Sequence, residues 1–437
     1  MIKKDEPIFG DDGFRSVYGK NLMTKSNLRN FAISVAKYIH KKKINKYPII
    51  LARDTRSSGV IIEKILTKVF ISSGINVVRA GILPTPGLSK LIELDNYCLG
   101  IMITASHNPA NFNGIKIFSK TGYKMKAKEE EVIEKLMREK QKIIKKETKG
   151  FNQVINNSVQ KYTNQILKEI SFSPQKYKIA IDCSNGAMSF VAKELFSANK
   201  NILLVNNKPN GNNINDKCGA LETEKLLKFI KKNKYDFGMA FDGDGDRAVF
   251  VSLHYGIIEP EKIFLLLCKS LSRNFKLDNI VVSEVFNYGI IKTIEKYFGN
   301  LWITKAGDRN IIEKIKVKNS LLGAEPSGHF NYPRISKSMD GAITMILFLN
   351  LINKKNFYLD KELKKIKMYN RKIKNIDLSK FNKENINLKK LNRLCNNDNE
   401  RILARTSMWE PVLRLYYDFK SHDNFYSYEK QISEILN

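Results

Sequence analysis

The sequence predicts an α/β protein made of several similar units, on three observations. Helical and strand patterns alternate along most of its 437 residues. That length exceeds what one hydrophobic core usually holds, since domains average roughly 100–200 residues. Three times an apolar strand runs into a polar loop: Thr104-Ala-Ser-His-Asn-Pro109, Asp242-Gly-Asp-Gly-Asp-Arg247 and Glu325-Pro-Ser-Gly-His329. Three related α/β units facing one cleft would give this recurrence, because such sheets carry their working loops at strand ends.

The elements follow in chain order. Leu28, Phe31, Ala32, Val35, Ala36 and Ile39 recur at helical spacing, with Ser26 as the candidate N-cap. The apolar run 47–52 reads as a buried strand, 61–71 as a helix, and 75–78 and 99–104 as further strands. Residues 127–148 are strongly charged, with Glu131/Lys135 and Glu134/Arg138 four apart, which predicts a solvated helix. A polar stretch near Lys149 is the first candidate boundary. A second α/β unit starts near Ser171, with strands at 178–182 and 202–205 and a third ending at Phe241. The next runs from about Glu259, with strands at 280–283 and 301–304, where Trp302 is expected in the core. Lys and Asn dominate 353–400, which reads as a linker into a small final domain with a strand at 413–417 and a helix at 428–436.

Composition narrows the function. Hydrophobic residues make up 43% and aromatics 10%, enough for cores. No run of about 18 apolar residues exists, so no membrane-spanning helix is expected, and the start lacks the apolar stretch of a signal peptide. The five cysteines are scattered and never paired as CxxC, which argues against a disulfide framework or zinc site and fits a reducing cytoplasm. The net charge of +31 comes from 75 basic and 44 acidic residues. Nucleic-acid binding would use such charge. The lysines are dispersed, however, and no zinc finger, RRM or arginine-rich segment is present, so a general Lys/Ile/Asn bias is the preferred reading. The excess positive charge still favours an anionic small-molecule substrate.

The loop 242–247 is the sharpest chemical signal. Asp242, Asp244 and Asp246 alternate with glycines that let the loop turn tightly, so three carboxylates can face one hard cation such as Mg²⁺. An EF-hand loop also opens with alternating acids, but its twelfth position would here be Leu253 rather than Glu. Ser106, at the end of a strand, is a candidate nucleophile that needs a base, metal or cation to activate it. His107 is adjacent and therefore poorly placed as a triad partner, and an ordinary turn with Ser106 as a cap is the competing reading. In Asn113-Gly-Ile-Lys116, the lysine adds a cation able to serve as acid or base if its pKa is lowered.

Taken together and in order, these motifs resemble those of the α-D-phosphohexomutase superfamily over essentially the whole chain. The segment 104–109 with Asn113–Lys116 resembles its phosphoserine loop, 242–247 its magnesium loop and 325–329 its sugar-specificity loop. The resemblance implies a four-domain architecture, with three similar mixed-sheet α/β domains and a smaller C-terminal α+β domain around a central cleft. Boundaries are then expected at 1–150, 151–253, 254–365 and 366–437. It implies interconversion of hexose 6- and 1-phosphates through phosphorylated Ser106 and a 1,6-bisphosphate. Catalytic hexose 1,6-bisphosphate would act as activator, with one Mg²⁺ per chain on Asp242, Asp244, Asp246 and an oxygen of Ser106. Arg15 and Arg247 would neutralise the transferring phosphoryl, and His107 and Lys116 would handle protons. Gly307, Asp308 and Arg309 would orient the substrate, and Glu325, Ser327 and His329 would bind sugar hydroxyls. The expected partner is a sugar phosphate, with neither nucleic acid nor membrane, for a cytoplasmic monomer or homodimer.

The family's final loop, Arg-x-Ser-Gly-Thr-Glu-Pro, reads here Arg405-Thr-Ser407-Met408-Trp409-Glu410-Pro411, with Arg414 beyond. Arg405, Ser407 and Arg414 are the expected phosphate anchor. Met408 and Trp409 depart from the pattern, which leaves a catalytically weakened sugar-phosphate-binding homologue as an alternative. The opening motif 9–15, the loop 307–309 and the segment 325–329 resemble the phosphoglucosamine mutase branch, so glucosamine phosphate is the first expected substrate. Phosphomannomutase or phosphoglucomutase activity stands behind it.

Overall fold

In the computed structural model, residues 7–139, 142–144, 146–172, 175–273, 276–380, 386–406 and 412–436 are described. The chain divides into two compact units, Met1–Pro260 with Ser327–Asp360, and Glu261–Pro326 with Lys361–Asn437. The division falls inside the segment 325–329.

The first unit carries two sheets. One is built from β1 (Phe14–Val17), β2 (Ile49–Arg53), β3 (Val77–Ile82), β4 (Leu99–Ile103), β5 (Phe112–Ser119) and β6 (Asn152–Val154), in the order β1-β5-β4-β2-β3-β6. The inner strands β2, β3 and β4 run parallel, whereas β5 is antiparallel to both β4 and β1, so the sheet is mixed. Every residue of β4 is buried, which explains its unbroken apolar run. Burying Leu99, Ile101 and Ile103 contributes roughly 1.5–3 kcal/mol each. The helix Lys25–Lys41 covers one face, and its Phe31 packs edge-on against Phe14 at 5.5 Å.

The second sheet is β7 (Ile179–Asp182), β8 (Ile202–Val205), β9 (Phe237–Phe241), β10 (Ala248–Ser252) and β11 (Gly256–Ile258), in the order β11-β10-β9-β7-β8. The tight loop between the antiparallel pair β9 and β10 holds the three aspartates. The helix Gly341–Ile352 is apolar almost throughout and buries Phe348 on Phe250, ring centroids 4.4 Å apart. Its N-cap Asp340 accepts from Ile343 N, and Gly341 N donates to Gly245 O, which seats the helix start on the aspartate loop.

In the second unit, β12 (Asn279–Ser283) pairs in parallel with β13 (Asn300–Thr304) and β14 (Leu322–Ala324). A further antiparallel sheet sets Val412–Phe419 between Asn370–Asp377 and Glu400–Thr406, with the helix Phe425–Leu436 after it. Buried Asp418 accepts from both Arg371 and Arg401 and from Tyr288 N, so two guanidinium groups share one carboxylate.

Three local expectations change. Thr24, rather than Ser26, caps the helix 25–41, accepting from Asn27 N. Among the described residues the charged stretch is helical over Ala127–Arg138 and not beyond. Trp302 is half-buried on β13, under the Lys318 amine at 3.5 Å, and β13 is an edge strand among the described residues, paired with β12 alone.

Candidate active site

The chemistry-bearing side chains of the first unit converge at strand ends. The loop from β4 to β5 carries Ser106, and the loop from β9 to β10 carries the aspartates. Ser106 Oγ donates to Asp242 Oδ2 at 2.6 Å. Asp242 Oδ1 accepts from Gly245 N at 3.1 Å, which closes the turn around glycine. Asp244 Oδ2 accepts from Thr85 Oγ1 at 2.5 Å and from Lys116 Nζ at 2.8 Å. Asp246 Oδ2 accepts from Lys116 Nζ at 3.0 Å, and its Oδ1 lies 3.1 Å from His329 Nε2. All three aspartates and Ser106 are buried.

Cations surround them. Lys116 sits inside β5 and also pairs with Asp12 at 3.0 Å. Asp12 in turn meets Arg15 and Lys124. Gly13 permits this approach of the opening loop: its φ is +78°, and a Cβ there would lie 2.0 Å from Ile115 O. Arg15 reaches Asn108 Oδ1 at 3.3 Å. Arg247 Nε is 3.0 Å from His329 Nε2 and 3.6 Å from Asp242 Oδ2. One imidazole nitrogen accepts from the guanidinium or donates to Asp246, not both, so the two contacts belong to different tautomers or protonation states of His329. Ser327 Oγ lies 3.0 Å from His329 Nδ1.

The electrostatics are those of a crowded acidic pocket. Burial, with the charges of Asp246 and Asp244, pushes Asp242 up to about 8. Burial opposes ionisation of Asp246, but Lys116 and His329 outweigh it and hold the carboxyl well below its usual range. Burial would lower Lys116, yet Asp12, Asp244 and Asp246 raise it well above the ordinary lysine value. Burial and the cations Arg247 and Arg15 bring His107 down to about 4. Its Nδ1 stands 3.4 Å from Ser106 Oγ.

The donor set fits a hard divalent cation. Ligand atoms of Asp242, Asp244 and Asp246 all lie within 4.8 Å of one another. Asp244 Oδ1 is buried with no hydrogen-bond partner among the described residues. A buried carboxylate oxygen left bare is costly unless a cation completes it, and such a cation would also relieve the upward push on Asp242.

The remaining expected residues lie in the second unit, apart from Ser327 and His329. Gly307, with φ +116°, caps the helix Asp308–Lys318, and its N–H donates to Glu325 Oε1 at 2.6 Å. Asp308 Oδ1 accepts from Arg309 N at 2.7 Å. Arg405 and Arg414 stand directly opposite each other on paired strands. Like charges so placed repel, which an anion between them would relieve. Ser407, Met408 and Trp409 lie outside the described residues.

Sequence reasoning missed Asp12 and Thr85, and also Asp54, Arg56 and Asn215, which hold the serine loop: Asp54 accepts from Thr104 Oγ1, while Arg56 and Asn215 donate to Ser106 O. Asp54 and Arg56 follow β2 as Ser106 follows β4, so the strand-end rule was available for them. Asn215 gives no comparable local signal.

Family models for domains I, II and III of phosphoglucomutase/phosphomannomutase, described as alpha/beta/alpha domains, match residues 6–143, 160–255 and 259–369. The phosphoglucosamine mutase of Caldicellulosiruptor saccharolyticus is 31% identical over 95% of each chain. That of Thermodesulfovibrio yellowstonii is 32% identical over 98% of this chain and 99% of its own. A phosphoglucomutase/phosphomannomutase family protein from Burkholderia thailandensis superposes with a TM-score of 0.83 at 21% identity, over 99% and 96% of the two chains. The chain belongs to the phosphoglucomutase/phosphomannomutase family and is a hexose-phosphate mutase.

Proposed function

We propose that this mutase converts glucosamine 6-phosphate to glucosamine 1-phosphate, with phosphorylated Ser106 as the group carrier. The hydrogen bond from Ser106 Oγ to Asp242, beside the bare oxygen of Asp244, supports that role most directly. The full-length likeness to two phosphoglucosamine mutases supports the sugar.

Transfer takes two steps. The phosphorus–oxygen bond at Ser106 breaks as the free sugar hydroxyl forms its own bond to phosphorus, giving a 1,6-bisphosphate. The hydroxyl proton passes to His107, whose imidazole is held neutral, and Ser106 Oγ regains a proton. Lys116, kept charged by Asp12, Asp244 and Asp246, can donate a proton but not accept one, contrary to the lowered pKa a lysine base would need. The bisphosphate then turns around, and its other phosphoryl returns to Ser106, which gives up its proton in turn. Arg15, which reaches Asn108 Oδ1, and Arg247, 3.6 Å from Asp242 Oδ2, would neutralise the phosphoryl oxygens. Asp242, Asp244 and Asp246 would hold Mg²⁺, which when bound supplies positive charge to the transferring group. Catalytic 1,6-bisphosphate would reload a serine that lost its phosphoryl to water.

For the sugar we assign Glu325, Ser327 and His329 to hydroxyl recognition, and Gly307, Asp308 and Arg309 to orienting the substrate. Arg405, Ser407 and Arg414 would anchor the non-reacting phosphate, the arginines as bidentate donors. The reading places these groups on four domains near 1–150, 151–253, 254–365 and 366–437, in a cytoplasmic monomer or homodimer. Among the described residues no helix is long and apolar enough to cross a membrane.

The test is turnover with Mg²⁺ and catalytic bisphosphate on the 6-phosphates of glucosamine, N-acetylglucosamine, mannose and glucose in parallel. Glucosamine 6-phosphate should be turned over fastest, and Ser106→Ala should be silent on all four. Preference for mannose or glucose phosphate would overturn the sugar assignment. Binding without turnover by protein phosphorylated at Ser106 would favour the weakened homologue, motivated by Met408 and Trp409.

A further inference from the structure

Ser106 has a left-handed backbone, φ +49°, a region that residues with a Cβ enter only when their surroundings hold them there. The surroundings are specific. Ser106 N donates to Thr104 Oγ1 at 2.9 Å, and Thr104 Oγ1 donates to Asp54 Oδ2 at 2.6 Å. The carbonyl of Ser106 accepts from Arg56 Nη2 at 2.9 Å and from Asn215 Nδ2 at 2.8 Å. The carbonyl of Asn108 accepts from the same two groups, at 2.8 Å and 3.0 Å. Arg56 also reaches Pro109 O, and its charge is met by Asp54, with both side chains fully buried.

Asn215 arrives from a different part of the chain, the loop after β8 in the second sheet. Its own N–H is fixed to Ser184 O at 2.9 Å. Both partners of its side chain are carbonyls, which only accept, so its amide nitrogen is the atom that must face them. The aspartate loop closes on the same spot. A Cβ on Gly243 would lie 2.6 Å from Ser106 O and 2.9 Å from Asn215 Nδ2. Serine carbonyl, asparagine amide and aspartate loop are therefore packed with no room for a methyl group.

We propose that Asn215, backed by Arg56, is a positioning residue for phosphoryl transfer. It ties the serine loop of the first sheet to the loops of the second, and so sets where Ser106 Oγ stands relative to Asp242. Asn215 is the informative position because it is only half-buried and uncharged, so its loss strands no buried ion. The proposal rests on the reading of Ser106 as phosphoryl carrier.

Its test compares Asn215→Ala and Asn215→Asp with the wild-type chain and Ser106→Ala. The aspartate keeps the volume but sets carboxylate oxygens against two carbonyl oxygens. Loss of alignment should cut kcat about tenfold or more in the alanine variant and further in the aspartate variant. The KM for sugar phosphate should stay within about twofold, since no substrate contact is removed. The melting temperature should fall only modestly, from the two lost hydrogen bonds and from an Asn215 φ of +56° that the substitutes tolerate less well, leaving both variants folded at the assay temperature. Wild-type kcat in both variants, or a kcat loss that merely follows loss of folded protein, would overturn the positioning role. An active Ser106→Ala enzyme would instead overturn the carrier reading beneath it, whatever the Asn215 variants do.

Discussion

Ser106 Oγ stands 2.6 Å from Asp242 Oδ2, although the two residues are 136 positions apart in the chain. The contact joins the working loops of two separate sheets, and Asp242 is the aspartate whose ionisation is opposed by burial and by the charges of Asp246 and Asp244. The hydroxyl proposed to carry the phosphoryl is thus aimed at a carboxylate whose charged form is costly without a cation.

Asp242→Asn should therefore separate stability from activity. The amide keeps volume and can still accept from Ser106, while it removes a carboxyl whose charged form is disfavoured. Without added metal the variant should melt at or above the wild-type temperature. Mg²⁺ should raise the wild-type melting temperature but move the variant much less, since a ligand at about 100-fold its Kd stabilises by about 2.7 kcal/mol. Turnover should fall at least about 100-fold, as for loss of a group that stabilises charge in transfer. Equal metal-induced shifts in both proteins would contradict the metal assignment.

Gly13→Ala should break the opening loop. The added methyl meets the backbone carbonyl of Ile115, which cannot swing aside, and the φ of +78° disfavours alanine as well. The expected cost is about 3 kcal/mol or more, with loss of turnover because Asp12 and Arg15 flank the substituted position. Near-wild-type melting would show that the loop relaxes freely.

Asp340 supplies a pH signature. Burial raises its carboxyl to about 6, against hydrogen bonds from Ile343 N and Tyr162 Oη that favour the charged form. A folded value above the unfolded one means stability is greatest below about 4 and falls as pH rises towards 6. The shift corresponds to about 3 kcal/mol. Asp340→Asn does not titrate, so its melting temperature relative to wild type should climb between pH 4 and 6 and level off above. A difference that stays flat over that window would contradict the assignment.

Asp418→Ala should destabilise the second unit by about 3–5 kcal/mol, since Arg371 and Arg401 lose their shared carboxylate while remaining largely buried. Asp418→Asn, which keeps part of the hydrogen bonding, should cost less. Limited proteolysis would report the loss as faster cleavage within 361–437.

Legibility in the sequence followed locality. The aspartate loop and Ser106 could be read because each lies on a short contiguous stretch at a strand end, where carboxylates alternate with glycine or a serine follows apolar residues. Asn215 could not, because its meaning is a contact made 109 residues away. Asp12 was overlooked inside a motif already noted, since only the fold sets it against Lys116 and Lys124. Trp302 was misjudged because periodicity identifies a strand without saying whether both its edges are paired. The capping of the helix 25–41 slipped by two residues, a shift within reach of the Thr/Ser alternatives at its start.

The most direct test of the central claim follows a labelled phosphoryl group. Protein carrying labelled phosphate on Ser106, verified by peptide mass spectrometry, is mixed with unlabelled glucosamine 6-phosphate in a single turnover. The label should leave Ser106 and appear first in a bisphosphate and then in glucosamine 1-phosphate, with little free phosphate. Label that stays on the protein, or is released only as inorganic phosphate, would contradict Ser106 as the carrier.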